Sequence, residues 1–201
     1  MLFAVQWYYW LILALAIILA IFAWIKAMGA SRARRERLKK EAAIWKRDYD
    51  LRQNFSVLTD DKIKETEETE LLHGVAMNIQ AMLEKSTDMT ESFNALPQEK
   101  KFVYALEYFD EDAKKNLSVF FKNNGEPLIS MVPDALNAIG AGKYVEHYAT
   151  LLPMYDPDSE VSIDYNIIGK VDEEFSVLYN SDELLRLAAK YILKNKEMFL
   201  S

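Results

Sequence analysis

Few residues in this chain have the type and spacing that chemistry needs. Gly140-Ala-Gly142-Lys143 has the residue types of a phosphate loop, but it lacks the GxxxxGK[ST] spacing and Tyr144 stands where a hydroxyl is needed. It is expected to join two helices, with Gly140 as a C-terminal cap. His73 and His147 are the only histidines, neither lies in an HExxH pattern, and cysteine is absent. A zinc site is therefore not expected, and both imidazoles are expected at surface or half-buried helix positions. Asp156-Pro-Asp158-Ser-Glu160 begins like a calcium loop, but Val161 and Ile167 occupy the positions that require Gly and Glu. There is no GxSxG elbow and no thiol nucleophile. The aromatic series Phe102, Tyr104, Tyr108, Phe109, Phe120 and Phe121 reads as core. These residues predict no enzyme, no catalytic group, no cofactor, no metal and no small-molecule ligand.

What remains to be explained is charge. Residues 1–53 carry ten Lys/Arg against four acids, and residues 54–201 carry 14 Lys/Arg against 27 Asp/Glu, a net −13. An acidic domain repels nucleic acid and anionic lipid, so direct nucleic-acid binding is not expected and a basic protein is the natural partner. Solubility alone also accounts for such a balance. The acids expected on helix surfaces, away from the apolar stripes, form three groups. They are Glu67, Glu68 and Glu70 (with Glu65), then Asp110, Glu111 and Asp112, then Asp172, Glu173 and Glu174.

The elements that must position these acids follow from periodicity. Leu2 to Ile25 is an apolar run of 24 residues with Gln6 its one strongly polar side chain. As a helix it would cover roughly 36 Å, enough for a bilayer core of about 30 Å. Trp7 to Trp10 stand at one end and Trp24 at the other, as interfacial rings do. Seven basic residues and one acid lie between Trp24 and Lys40, and no cation precedes the run. The flanking Lys26, Arg32, Arg34, Arg35 and Arg37 therefore predict a single-pass inner-membrane protein whose C-terminal side stays in the cytoplasm, with membrane lipid as a partner.

Beyond the anchor the pattern is helical. The expected organisation is an anchor over 1–26, a basic juxtamembrane stalk over 27–60 and an all-α domain of six to eight short helices over 61–201. Pro133 is read as opening a helix and Pro153 as stopping one. Residues 161–168 form an isolated β-like run. Asp182 after Ser181 suggests an N-cap region.

Four blocks, 93–116, 120–127, 135–148 and 169–199, carry a resemblance to a bacterial domain-of-unknown-function family that includes a Neisseria DNA-mimic protein. The most specific features are Ala138-Ile139-Gly140-Ala141 before Tyr144, and Asp172-Glu173-Glu174-Phe175 before Tyr191-Ile192. The second block is preceded in the family by Asn-Gly-Gly-Phe, where this chain has Lys114-Lys115-Asn116-Leu117. The resemblance implies an all-helical domain that presents an acidic face to a basic or DNA-binding protein. The expected function is a membrane-anchored acidic protein-interaction module. The alternatives are a small accessory subunit of a membrane complex and an uncharacterised enzyme domain.

Overall fold

In this computed structural model the structure describes residues 12, 13, 15, 34–39 and 41–200. The chain divides into two compact units, 1–49 and 50–201. In the first, all described residues are helical and nearly all are exposed. The anchor expected over 1–26 lies outside the described residues, apart from Ile12, Leu13 and Leu15, and so do Lys26 and Arg32. Among the described residues no helix is long and apolar enough to cross a membrane.

The second unit begins with helical residues 50–54 (α1). It continues through α2 (Asp60–Glu65), α3 (Glu68–Glu84), α4 (Met89–Asn94), α5 (Gln98–Ala113), α6 (Leu117–Asn123), α7 (Leu128–Ala138), α8 (Val145–Tyr155), α9 (Tyr165–Leu178) and α10 (Ser181–Lys194). Short 3₁₀ turns at Gly142–Tyr144 and Lys196–Met198 complete it. It is all-helical among the described residues, with nine α-helices from Asp60 to Lys194 against the six to eight expected over 61–201. It starts ahead of residue 61 because Leu51, Phe55 and Leu58 are buried in its core.

Local chemistry sets most helix ends. Thr59, Asp88, Asp164 and Asn180 each accept a backbone N–H in the first turn of α2, α4, α9 and α10. The cap of α10 is thus Asn180, ahead of the Ser181-Asp182 pair, because Ser181 Oγ is engaged elsewhere. At the end of α7, Ala141 N–H donates to Leu136 O and Gly140 N–H to Asn137 O, with Gly140 at φ 83°. This is a Schellman closure, and only glycine enters that left-handed region without strain. The expected β-like run does not form a strand. Residues 161–164 lack regular structure and α9 starts at Tyr165, once the Asp164 side chain accepts from the N–H groups of Asn166 and Ile167.

Two prolines fall inside helices and not at their boundaries: Pro133 in α7 and Pro153 in α8. Proline cannot bond the carbonyl four residues back, so Ile129 O and Ala149 O lose their helical donors. Ala149 is exposed and water can serve it. Ile129 is buried, and Tyr148 of α8 donates its hydroxyl to Ile129 O at 2.6 Å. That bond joins α7 to α8 and repairs the defect in one step. Burial pushes the Tyr148 hydroxyl pKa up, which keeps it a donor.

α5 is the central helix and packs on α3, α6, α7 and α10. Near its end, Asp110 accepts from Ser181 at the start of α10. On α3, Gly74 makes room for Phe55, because a Cβ there would lie 2.3 Å from the ring.

Two variants test this packing by chemical denaturation. Tyr148→Phe should cost about 1–3 kcal/mol by stranding the Ile129 carbonyl, and Pro133→Ala should recover much of the loss by restoring a backbone donor. Gly74→Ala, worth up to about 1 kcal/mol of gain on an open helix, should instead cost about 1–3 kcal/mol through overpacking against Phe55.

Candidate protein-interaction site

The nine acids expected to meet a partner separate into two populations. Asp110 is fully buried and Asp112 nearly so, which corrects the expectation that both lie on a helix surface. Asp110 Oδ1 accepts from Tyr179 Oη at 2.6 Å and from Ser181 Oγ at 2.7 Å, and Oδ2 faces Lys114 Nζ at 2.5 Å. The apolar face of α5 extends to its last turn, so the carboxylate there is drawn inward and must be partnered. The Tyr179 hydroxyl pKa is pushed far up, first by burial and then by the Asp110 charge, so tyrosine donates and carboxylate accepts.

Asp112 accepts from Asn123 Nδ2, Asn124 Nδ2 and Lys115 Nζ, each at 3.0 Å, and so ties the end of α5 to the end of α6. Asp172 is half-buried in α9 and accepts from Ser118 N at 2.8 Å and Ser118 Oγ at 2.6 Å. The cap residue of α6, Asn116, makes no side-chain cap bond, so Asp172 caps that helix from another element. These three acids hold helices together.

The other six are exposed: Glu67, Glu68, Glu70, Glu111, Glu173 and Glu174. Glu173 and Glu174 follow Asp172 on α9. Glu174 lies 3.7 Å from Lys170 Nζ and 3.9 Å from His147 Nε2. His147 is half-buried, with its ring edge-on to Phe175 at 6.1 Å, as a half-buried reading expects.

Glu67 and Glu70, with Glu65, rim an open groove of about 390 Å³ beside Leu51 and Phe55. The cation on that rim is Lys62, whose Nζ sits 5.2 Å over the Phe55 ring. Three carboxylates around this polar groove can receive a basic side chain. The acids stay outward here because α2 and α3 turn Ile63, Leu71 and Leu72 inward at helical spacing.

Sequence reasoning missed a buried pair. His73 Nδ1 on α3 lies 2.6 Å from both Glu107 oxygens on α5, and both residues are buried. This corrects the surface or half-buried placement of His73. The signal available was Glu107 beside Val103 and Leu106 on the apolar side of α5, a charged residue that needs a partner there. Lys143 of the Gly-rich stretch pairs with Glu183 at 2.5 Å and lies over the Tyr144 ring. In the 156–160 turn Asp156 accepts from Asp158 N–H, and Asp156 and Asp158 are exposed. Tyr104 and Tyr108 are half-buried, hydroxyls 3.1 Å apart, and line a second open cleft of about 410 Å³ with Phe93 and Glu126.

The DMP19-like protein family matches residues 94–195, half of the chain. The chain belongs to that family. The match runs from the end of α4 through α10, so it contains Asp110–Asp112 and Asp172–Glu174, whereas the groove of Glu65, Glu67 and Glu70 precedes it. Compared with the curated proteins and with the solved structures, the chain matches none. Membership in this DNA-mimic family agrees with the resemblance carried by the four sequence blocks.

The division between inward and outward acids has a direct readout in thermal or chemical denaturation. Asp110→Ala should cost about 2–4 kcal/mol, because it leaves the half-buried Tyr179 and Ser181 hydroxyls without their shared acceptor and opens a gap at a fully buried position. Asp172→Ala should cost about 1 kcal/mol as a lost cap. Glu173→Gln and Glu174→Gln should stay within about 0.5 kcal/mol of the parent.

Proposed function

We propose that this chain is a membrane-anchored acidic interaction module that binds a basic or DNA-binding protein and is not an enzyme. The observation that carries the reading is the exposed carboxylate set Glu65, Glu67 and Glu70 around one groove, in a region 54–201 of net charge −13. Membership in the DMP19-like family favours a partner that otherwise binds DNA. A DNA-binding surface meets one phosphate per 1.7 Å of duplex axis, so ordered carboxylates on a firm scaffold compete for the same lysines and arginines. Glu68, Glu111, Glu173 and Glu174 are the other exposed acids offered to such a partner. Asp110, Asp112 and Asp172 serve it indirectly, by fixing the helices that carry them.

In this reading residues 2–25 cross the bacterial inner membrane once. Lys26, Arg32, Arg34, Arg35 and Arg37 hold the C-terminal unit in the cytoplasm. The partner must then reach the membrane surface. Fusions of alkaline phosphatase and of a cytoplasmic reporter to the C-terminus check the topology. A silent phosphatase with an active cytoplasmic reporter is expected, and the opposite pattern reverses the orientation.

Affinity capture with the full chain in mild detergent tests the partner. Wild type should retain a basic DNA-binding protein at low salt and release it as salt rises, since exposed charges are screened beyond about 8 Å at physiological ionic strength. The recovered protein should lose DNA binding when the chain is added back. The Glu65/Glu67/Glu70→Gln variant should bind at least about tenfold more weakly, the loss of roughly 1.4 kcal/mol expected from several exposed pairs together. Retention that is indifferent to salt and to these three substitutions overturns the reading.

A further inference from the structure

The described part of the first unit exposes a helical surface that the acidic module does not explain. Residues 34–39 and 41–49 are helical, and Leu38, Ala42, Trp45 and Tyr49 are spaced by four, three and four. At about 100° per residue these four side chains fall in one stripe about 60° wide. All four are exposed, Trp45 to 77% and Tyr49 to 63%. On the same helical wheel Arg35, Lys39 and Lys46 line one flank of the stripe. Ala43 falls well away from the stripe and is also exposed. Between residues 34 and 49 there are seven Lys/Arg and three Asp/Glu.

We propose that residues 34–49 form an in-plane helix that docks on an anionic lipid surface. Charge and shape select this occupant. Glu41 and Asp48 stand on the opposite flank, so a second copy packed antiparallel would bring two rows of Arg35, Lys39 and Lys46 together at a repulsive cost, and a parallel copy is distinguished by the dependence of labelling on protein concentration. Nucleic acid would satisfy the cations and stack on the two rings, but leaves Leu38 in water. A lipid interface takes Leu38 and Ala42 among the upper acyl segments. It places Trp45 and Tyr49 at headgroup depth and neutralises the flanking cations with anionic headgroups. The apolar run 2–25 precedes this segment in sequence, so a bilayer is the nearest surface in the anchored reading. The inference does not require that run to span.

The chain contains no cysteine, so single thiols report without background. Ala42→Cys lies in the stripe and Ala43→Cys off it, and both leave Leu38, Trp45 and Tyr49 in place. The full chain is mixed with phosphatidylcholine vesicles, with or without phosphatidylglycerol, and labelled with a water-soluble maleimide. In anionic vesicles the Ala42→Cys variant should label about tenfold more slowly than Ala43→Cys, the scale set by a few cations each favouring the surface. In neutral vesicles, in high salt, or with Arg35, Lys39 and Lys46 all changed to Gln, the two rates should converge.

Equal rates at positions 42 and 43 in anionic vesicles overturn the proposal. So does protection of the position-42 thiol that appears without lipid, whether it grows with protein concentration, as for a second copy, or with added DNA or RNA. Co-flotation with neutral vesicles reads the span separately. A chain that floats with neutral vesicles yet labels equally at the two positions in anionic vesicles keeps the span and loses the in-plane helix. One that floats only with anionic vesicles and protects the position-42 thiol does the reverse.

Discussion

The fold of the C-terminal unit depends on one aromatic contact set, centred on Phe109 of α5. Its ring meets Phe120 of α6, Tyr148 of α8, Phe175 of α9 and Tyr179 beyond α9, with centroids 5.6 to 6.3 Å apart. The helices on which these rings sit are short, and helices of this length are marginal alone. They persist because each buries a ring against the same neighbour, and tilted or edge-on pairs add about 0.5–1.5 kcal/mol beyond area burial. Tyr148 and Tyr179 carry hydroxyls into this core, and each finds an acceptor, Ile129 O and Asp110 respectively.

Burying polar tips beside an apolar cluster forces a partition of the acids. Asp110 is the residue after Phe109, so the turn that delivers the ring to the core also delivers a carboxylate to its edge. That carboxylate is acceptable only because two hydroxyls and an ammonium converge on it. Asp112 and Asp172 repeat the solution for the two ends of α6. The acids left outward then carry little structural duty at their carboxylates in two places, the α2–α3 groove and the middle of α9. A surface meant for a cationic partner gains from this arrangement, since groups not committed to internal bonds lose less on binding.

Within each unit, charge and burial follow one rule. In the acidic unit the apolar faces are turned inward and most carboxylates face water. In residues 34–39 and 41–49 the helix is too exposed for that, and apolar and cationic side chains share the surface. A helix that keeps Leu38, Trp45 and Tyr49 in water has no internal reason for its pattern, so the pattern points to an external surface.

The sequence by itself determined the all-α class, the Gly140 closure and the uneven distribution of charge. Each is a local property, set by a period of about 3.6 residues, by glycine's access to positive φ, or by a count of side chains. Tertiary structure alone decided which acids are surface groups. Asp110 and Glu111 are adjacent and identical in charge, yet one is fully buried and the other exposed. The difference is set by Tyr179 and Ser181, which lie 69 and 71 residues along the chain from Asp110. It also decided that Pro133 and Pro153 stay inside helices, because the cost of a missing donor depends on whether a tyrosine or water can reach the freed carbonyl. His73 and Glu107 met for the same reason: spacing places each on a face, but only packing chooses which two faces touch.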